Sequence, residues 1–402
     1  MRIGIIGGGA SGMAAALAAA ENTGNHVILM ERQARLGKKL SATGNGRCNL
    51  TNLHAMDGGY HGEDPGFIRP ALEIYSVEET LRWFEDLGLY TVSEVSGKVY
   101  PYSDQASSVV DVLRFALNRS NISVASGYEV ERIRKNEQGF LITSRNESLY
   151  VDRLIIACGG LAGTKLGGSM FGYRFLRGFG HHCTKLRPAL VQIKTDWPGV
   201  SALKGVRANC HVSILKDGKT YAESLGEMQF TEIGFSGPVM YEVSRDVCQE
   251  KAQWICRMDF LPDLDLETLK AELSRRREKK WNAGDLFTGI LHNRLGKVLI
   301  KNAGITESQP ASSLTDAEIH NAAWTAKHFE AALTEPLGMD AAQVTAGGIL
   351  TQEFDSQTME SKLIPGLYAC GEVLDIDGDC GGYNLQWAWS SGRLAGTHAG
   401  KE

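Results

Sequence analysis

The sequence predicts an α/β fold: a parallel-sheet domain, discontinuous along the chain, interrupted by a β-rich and then helical insertion. Three observations predict it. The first 31 residues run strand, glycine turn, alanine-rich helix, strand. Between about residues 190 and 340 the pattern changes to short alternating strands and then to helical periodicity. Beyond residue 340, short apolar strands, a glycine turn and one more helix return to the style of the opening unit.

Arg2–Ile6 is a short apolar run closed by Gly7-Gly8-Gly9-Ala10-Ser11-Gly12, and His26–Met30 is a second apolar run closed by Glu31. That order is what a Rossmann-like dinucleotide-binding βαβ unit needs. Gly7 turns the chain off the strand, Gly9 leaves room for a pyrophosphate, and Gly12 lets the helix sit close to the sheet. N–H groups and the positive dipole end at Ala10, Ser11 and Gly12 then face phosphate. Glu31, nineteen residues beyond Gly12, is placed to accept hydrogen bonds from an adenosine ribose. Arg2, the apolar stretch after it and the small residues Ala18-Ala19-Ala20 resemble a signal peptide with its cleavage site. Cleavage there would destroy the fingerprint, so the segment is read as folded and the protein as cytoplasmic.

With 402 residues the chain is long enough for two or three domains, and 43% hydrophobic with 22% charged residues is ordinary for a globular protein. A net charge of −5 argues against bulk attraction to nucleic acid or anionic membrane. No apolar run approaches the ~20 residues of a membrane helix. None of the eight cysteines forms a CxxC pair, and no metal site is expected.

From Arg32 to about Gly66 runs a long connection rich in glycine and basic residues. A loop of this length inside a compact domain is usually functional. Its Lys38, Lys39 and Thr43-Gly44-Asn45-Gly46-Arg47-Cys48-Asn49 stretch supplies small residues, amides and cations suited to phosphate and ring contacts. Ser76-Val77-Glu78-Glu79 opens a helix that stops at Gly88, and Ser107–Ser120 reads as another. Glu129–Arg134, Gly139–Ser144 and Leu149–Val151 alternate as a small antiparallel sheet. Arg153–Ala157 is a buried strand ending in Cys158-Gly159-Gly160. The spacing after it does not repeat the nucleotide fingerprint, so no second nucleotide domain is expected.

In the insertion, Val191–Thr195, Asn209–Leu215 and Lys219–Ser224 read as antiparallel strands, with Asp217-Gly218 as a hairpin turn and Glu227–Pro238 as irregular. Helices are expected over Leu266–Lys280, Asp285–Asn302 and Asp316–Glu330. The basic run Arg275, Arg276, Arg277, Lys279 and Lys280 suits a helix C-terminus. Val344–Ile349 and Gly366–Glu372 then return as strands, and Gly381-Gly382-Tyr383-Asn384 opens a helix from about Leu385 to His398. The expected domains are 1–189 with 340–402, 190–262 (β-rich) and 263–339 (helical).

Ile5–Asn22 with Glu31, Thr43–Asn52, Phe230–Pro238 and Gly366–Gly396 together resemble one family of flavoproteins, which includes enzymes described as aminoacetone oxidases and bile-acid 3-dehydro reductases. The third block departs from the resemblance at Glu232, where many of the family have His. The resemblance implies FAD as the nucleotide, and a Rossmann-like FAD-binding domain interrupted by a β-barrel-like and helical insertion. It places Asn45–Asn49 along the isoalloxazine and phosphates, Val130 and Ala157–Gly159 at the adenine end, and Gly371 and Glu372 beside the ribityl chain. Gly382, Tyr383, Asn384 and Leu385 would face the pyrimidine edge, where negative charge gathers on reduction. Trp387 and Trp389 either border the substrate or pack the last helix.

A flavin carries the electron transfer itself, so no catalytic triad is expected. The first functional expectation is NAD(P)H-linked reduction of a small organic substrate of the conjugated-carbonyl type, with NAD(P)H a transient donor. The second is an oxidase of a small amine that passes electrons to O2. The third, of another class, is a non-catalytic flavin-containing partner protein. A small-molecule substrate, no nucleic acid and no membrane are the expected partners.

Overall fold

A computed structural model describes residues 1–401 except 146, 250 and 251. The chain divides into two compact units, Met1–Arg187 with Gln343–Glu402, and Pro188–Ala342.

The first unit is built on a five-stranded parallel sheet in the order Leu367–Ala369, Arg153–Ile156, Arg2–Ile6, His26–Glu31, Ile122–Ser126. Arg2–Ile6 lies at its centre, with Ile5 opposite Ile155 on one side and Leu29 on the other. These strands are nearly continuous apolar runs because helices cover the sheet. The penultimate apolar segment therefore does return to the first sheet, through Leu154↔Leu367 pairing. The edge strand Ile122–Ser126 is not part of the sequence expectation. It is short and half exposed, and so shows no buried run.

The first helix (Ala10–Ala19) and the last (Tyr383–Ala399) cross in close contact. Small residues permit this. A Cβ on Gly392 would stand 2.4 Å from the Ser11 carbonyl oxygen, and one on Gly396 2.2 Å from that of Ala15. Interaxial distance follows side-chain size at the contact, and here there is nearly none. Ser76 caps the helix Val77–Asp86 by accepting the Glu79 N–H, and Gly88 ends it with φ +91°. Val130–Lys135, Phe140–Ser144 and Ser148–Val151 form the expected antiparallel sheet.

In the second unit, six antiparallel strands close a barrel in the order Ile193–Thr195, Gly234–Ser236, Lys219–Phe230, Arg207–Lys216, Trp254–Asp259, Phe329–Pro336. Asp217 (φ +51°) and Gly218 (φ +74°) make the tight hairpin turn. Three readings of the sequence need correction here. Glu227–Pro238 is not irregular: Lys219–Phe230 is one long strand, Gly234–Ser236 another, and Pro238–Val247 a helix. The helix Asp285–Asn302 is only Asn293–Asn302. And 263–339 is not helical throughout, because Phe329–Pro336 is the strand that closes the barrel after the helices Leu266–Arg277, Asn293–Asn302 and Asp316–Lys327. Its alternating burial, with Phe329, Ala331 and Leu333 inward, has the period of a strand.

Candidate functional site

The site is assembled in the first unit around the two helix beginnings. Ala10–Ala19 starts with no side-chain cap and no acidic residue in its first turn, so nothing within the helix offsets its positive end. Gly9 has an ordinary φ of −83°, and a Cβ there would meet nothing within 4 Å. Glycine at that position therefore keeps space open and serves no backbone need. Gly7 and Gly12 differ: their Cβ atoms would collide with Ala157 O at 2.3 Å and Gly7 O at 1.8 Å. They bring strand, turn and helix together.

Glu31 ends its strand facing this turn. Its carboxylate accepts the Gly8 and Gln33 N–H groups, both at 2.7 Å. Beside it lies a cleft of about 440 Å³ lined by Gly7, Glu31, Arg32, Tyr128, Val130, Cys158, Phe171 and others. Arg32 forms part of the wall and is fixed there by donating to Gly167 O at 2.7 Å. Tyr128, Ser169, Phe171 and Phe175 were not evident as lining residues from sequence. They come from loops and a helix that carry no motif.

The connection Arg32–Gly66 holds four residues in the left-handed region close together: Gly44 (φ +58°), Asn45 (+56°), Gly46 (+88°) and Cys48 (+62°). Non-glycine residues adopt this region at a cost, and such strain gathers at ligand sites. The segment then runs beside the last glycine turn. Asn52 Nδ2 donates to Gly381 O at 2.8 Å, and a Cβ on Gly382 would stand 2.3 Å from the Thr51 carbonyl carbon. Thr51 donates to the buried Gln386 Oε1, whose amide in turn donates to Tyr75 O, Thr80 and Ser390.

The last helix begins at Tyr383, two residues before the expected start, after Gly381 (φ +119°) and Gly382 (φ +108°). No side chain caps it, and the Gln386 N–H is bonded back to Gly382 O. A second positive helix end of this kind therefore stands in the same unit. Trp387 and Trp389 are fully buried and donate to Gly371 O and Leu50 O, so they pack the helix and do not border a pocket.

Several expected contacts go elsewhere. Arg47 is committed to Asp104 and Glu94 and stacks over Tyr100 at 4.0 Å, so its guanidinium is not aimed at a phosphate. Lys39 pairs with Glu372 at 2.8 Å, and Glu372 also accepts the Thr345 N–H, so both side chains are occupied. Lys38 is exposed and reaches only Gln33 at 3.4 Å. The Asn384 amide closes the Gly378 loop through two hydrogen bonds. Cys48 is wholly buried, and burial pushes its thiol up to about 12, which leaves no reactive thiolate. At these positions, Lys38 apart, the side chains are committed within the protein and the backbone is left to meet a ligand. Val130 and Cys158 lie on the cleft wall; Ala157 touches Gly7, and Gly159 faces open space.

The arrangement fits a dinucleotide. Among the described residues, four buried side-chain atoms of this unit have no hydrogen-bond partner, on Asn49, Tyr128, Arg187 and Arg393; two of these residues stand at the site, Tyr128 on the cleft wall and Asn49 in the loop beside the last helix. Such orphans are rare and call for a ligand or water. Ser361, His181 and Glu353 do line up as a triad would, at 3.0 and 2.9 Å. Both Ser361 and His181 are buried, however, and the serine oxygen already accepts the Leu363 and Ile364 N–H groups. The chain of bonds is a fastener. Among the described residues no group of three His, Cys, Asp or Glu is arranged to hold a metal ion, and no helix is long and apolar enough to cross a membrane.

The sequence pattern described as HI0933-like protein Rossmann domain matches residues 1–398. The chain is 41% identical over 405 residues to the 3-dehydro-bile acid delta(4,6)-reductase of Clostridium scindens, covering 99% of this chain and 98% of that one. It is 31% identical over 392 residues to the ribosomal RNA dihydrouridine synthase of Escherichia coli, covering 96% and 95%. Among solved structures, 3-ketosteroid delta1-dehydrogenase from Sterolibacterium denitrificans superposes with a TM-score of 0.51 at 13% identity, over 99% of each chain, which speaks to the fold alone.

Proposed function

The chain belongs to the HI0933-like Rossmann-domain family and is an FAD-dependent oxidoreductase, and on that premise we propose that it reduces a carbon–carbon double bond conjugated to a carbonyl, in a small organic substrate, with NAD(P)H as the electron donor. One observation carries the reading. Two relatives aligned along almost the whole chain, the reductase and the synthase named above, have names that describe one reaction type. A Δ4 double bond is conjugated to a 3-oxo group, and dihydrouridine is uridine with the double bond next to its carbonyl saturated.

When bound, FAD supplies the two-electron step, taking a hydride from the nicotinamide and giving it to the substrate. The residues of the chain hold and tune it. Glu31, oriented by the Gly8 and Gln33 N–H groups, would accept from the ribose hydroxyls. The first turn of Ala10–Ala19 would hold the pyrophosphate in the space Gly9 keeps open. The positive end of the last helix would stabilise negative charge on the reduced ring, by about 0.3–2 kcal/mol for the dipole. The Gly44–Cys48 backbone would help to hold the ring. NAD(P)H binds transiently, since the turn after Arg153–Ile156 lacks the spacing of a second fingerprint.

A small substrate is favoured over RNA. Arg275 and Arg276 are paired to Glu272, and Arg277 to Asp316. The basic run thus neutralises its own neighbourhood, and the net charge is −5. A cytoplasmic location accords with a nicotinamide donor.

The test is anaerobic mixing of the yellow protein with NADH, NADPH and aminoacetone separately, followed by a conjugated 3-oxo steroid. Rapid bleaching by a nicotinamide, and return of colour with the steroid, is the expected result. Bleaching by the amine alone would replace this reading with an amine oxidase. Bleaching by none would favour a non-catalytic flavin protein.

A further inference from the structure

We propose that Lys98 is the residue that stabilises negative charge on the reduced cofactor and so raises its reduction potential; this rests on the FAD placement above. Lys98 stands on the strand Lys98–Pro101, paired in register with Asn52. Asn52 donates to Gly381 O, and the Lys98 stem lies over Gly381, where a Cβ would be 3.0 Å from Cε and 3.5 Å from Cγ. The side chain therefore runs along the glycine turn that opens the last helix.

The charge accounting singles it out. Nearby carboxylates already have partners: Asp104 and Glu94 hold Arg47, and Asp379 holds His61 at 2.7 Å. Among the described residues, no hydrogen bond or ion pair engages the half-buried Lys98 ammonium. A cation set against the positive end of a helix repels it, and no acidic residue in the first helical turn offsets this. A protein that places two positive features together, partly shielded from water, is arranged for an anion absent from its own chain. Accepting a hydride adds two electrons and one proton, hence one net negative charge, to the isoalloxazine. Lys98 would face that charge. The oxidised ring is neutral, so Lys98 contributes little to holding it, and its effect is a differential one.

The experiment uses the full-length FAD-loaded protein with Lys98→Met and Lys98→Arg. Two quantities are read: the midpoint potential of the bound flavin, by dye equilibration, and the dissociation constant of sulfite, which adds to the oxidised ring and leaves a negative charge on it. Lys98→Met should lower the potential by about 30 mV, equivalent to about tenfold, the scale of one partly screened charge. It should weaken sulfite binding by a similar factor, while Lys98→Arg restores both. If the methionine variant does not hold FAD, Lys98→Gln carries the same test. Unchanged potential and sulfite affinity without the charge would overturn the proposal, as would an arginine variant that behaves like methionine. Neither reading uses a nicotinamide or an organic substrate. A wild type that NAD(P)H cannot reduce would thus sink the proposed reaction and leave this inference standing.

Discussion

The two glycine turns that open the first and last helices look alike in sequence and are built for different purposes. At the first, Gly9 has an ordinary backbone and empty space beyond it. At the last, Gly382 has φ +108° and would drive a Cβ into the Thr51 backbone at 2.3 Å. Glycine is there for the ligand in one turn and for the fold in the other. The electrostatics differ too. The first helix end stands by Glu31, which takes backbone N–H groups, and suits a pyrophosphate whose charge is permanent. The last has a lysine beside it, and suits a charge that comes and goes with reduction.

The largest effect expected from that contrast is at Gly9. Gly9→Val should leave the thermal unfolding midpoint within a few degrees of wild type and yet abolish FAD loading. A yellow, fully occupied variant would place the pyrophosphate elsewhere. Gly382→Ala should do the reverse and destabilise the fold by about 3 kcal/mol or more, from left-handed strain plus overpacking. Denaturant unfolding of the two apoproteins side by side measures this, and equal midpoints would erase the distinction between the turns. Glu31→Ala should weaken FAD retention by about 1.5–3 kcal/mol, the range for hydrogen bonds to a charged group. Equilibrium dialysis checks it, and unchanged affinity would remove Glu31 from the ribose.

The smallest effect serves as a control away from both turns. Burial lowers the pKa of His181, against the raising effect of Glu353. The unfolded chain, with imidazole near pH 6.5, then takes up the proton first. Stability is full above about pH 6.5 and falls as pH drops toward the lower folded value. Burial raises Glu353, but hydrogen bonds from His182 and His181 outweigh it and leave it low, which extends the loss in the same direction at lower pH. His181→Gln should flatten the upper part of that slope without altering FAD affinity. A variant with the wild-type slope would show that the fastener is not what titrates.

The opening βαβ unit was legible because its motif is local: turn, helix and carboxylate follow one another within 31 residues. The return of Leu367–Ala369 to the sheet was legible from its short apolar run and following glycine. What escaped depends on distant partners. Lys39 and Arg47 looked like phosphate ligands, and only the fold reveals Glu372, Glu94 and Asp104 taking them up. Phe329–Pro336 lay hidden behind a helix because its alternation begins two residues after Lys327. Ile122–Ser126 lacked a buried run, since an edge strand exposes one side. Tyr128 and Phe171 line the cleft from segments whose sequence carries no chemical signature.

The central claim is that one FAD lies lengthwise from the first glycine turn to the last helix. Diffraction from crystals of the FAD-loaded protein tests it most directly. The account predicts pyrophosphate density at Ala10–Gly12, adenosine in the cleft beside Glu31 and Tyr128, and the pyrimidine edge at Gly382–Leu385 within reach of Lys98. Flavin density that left either glycine turn uncontacted would contradict it.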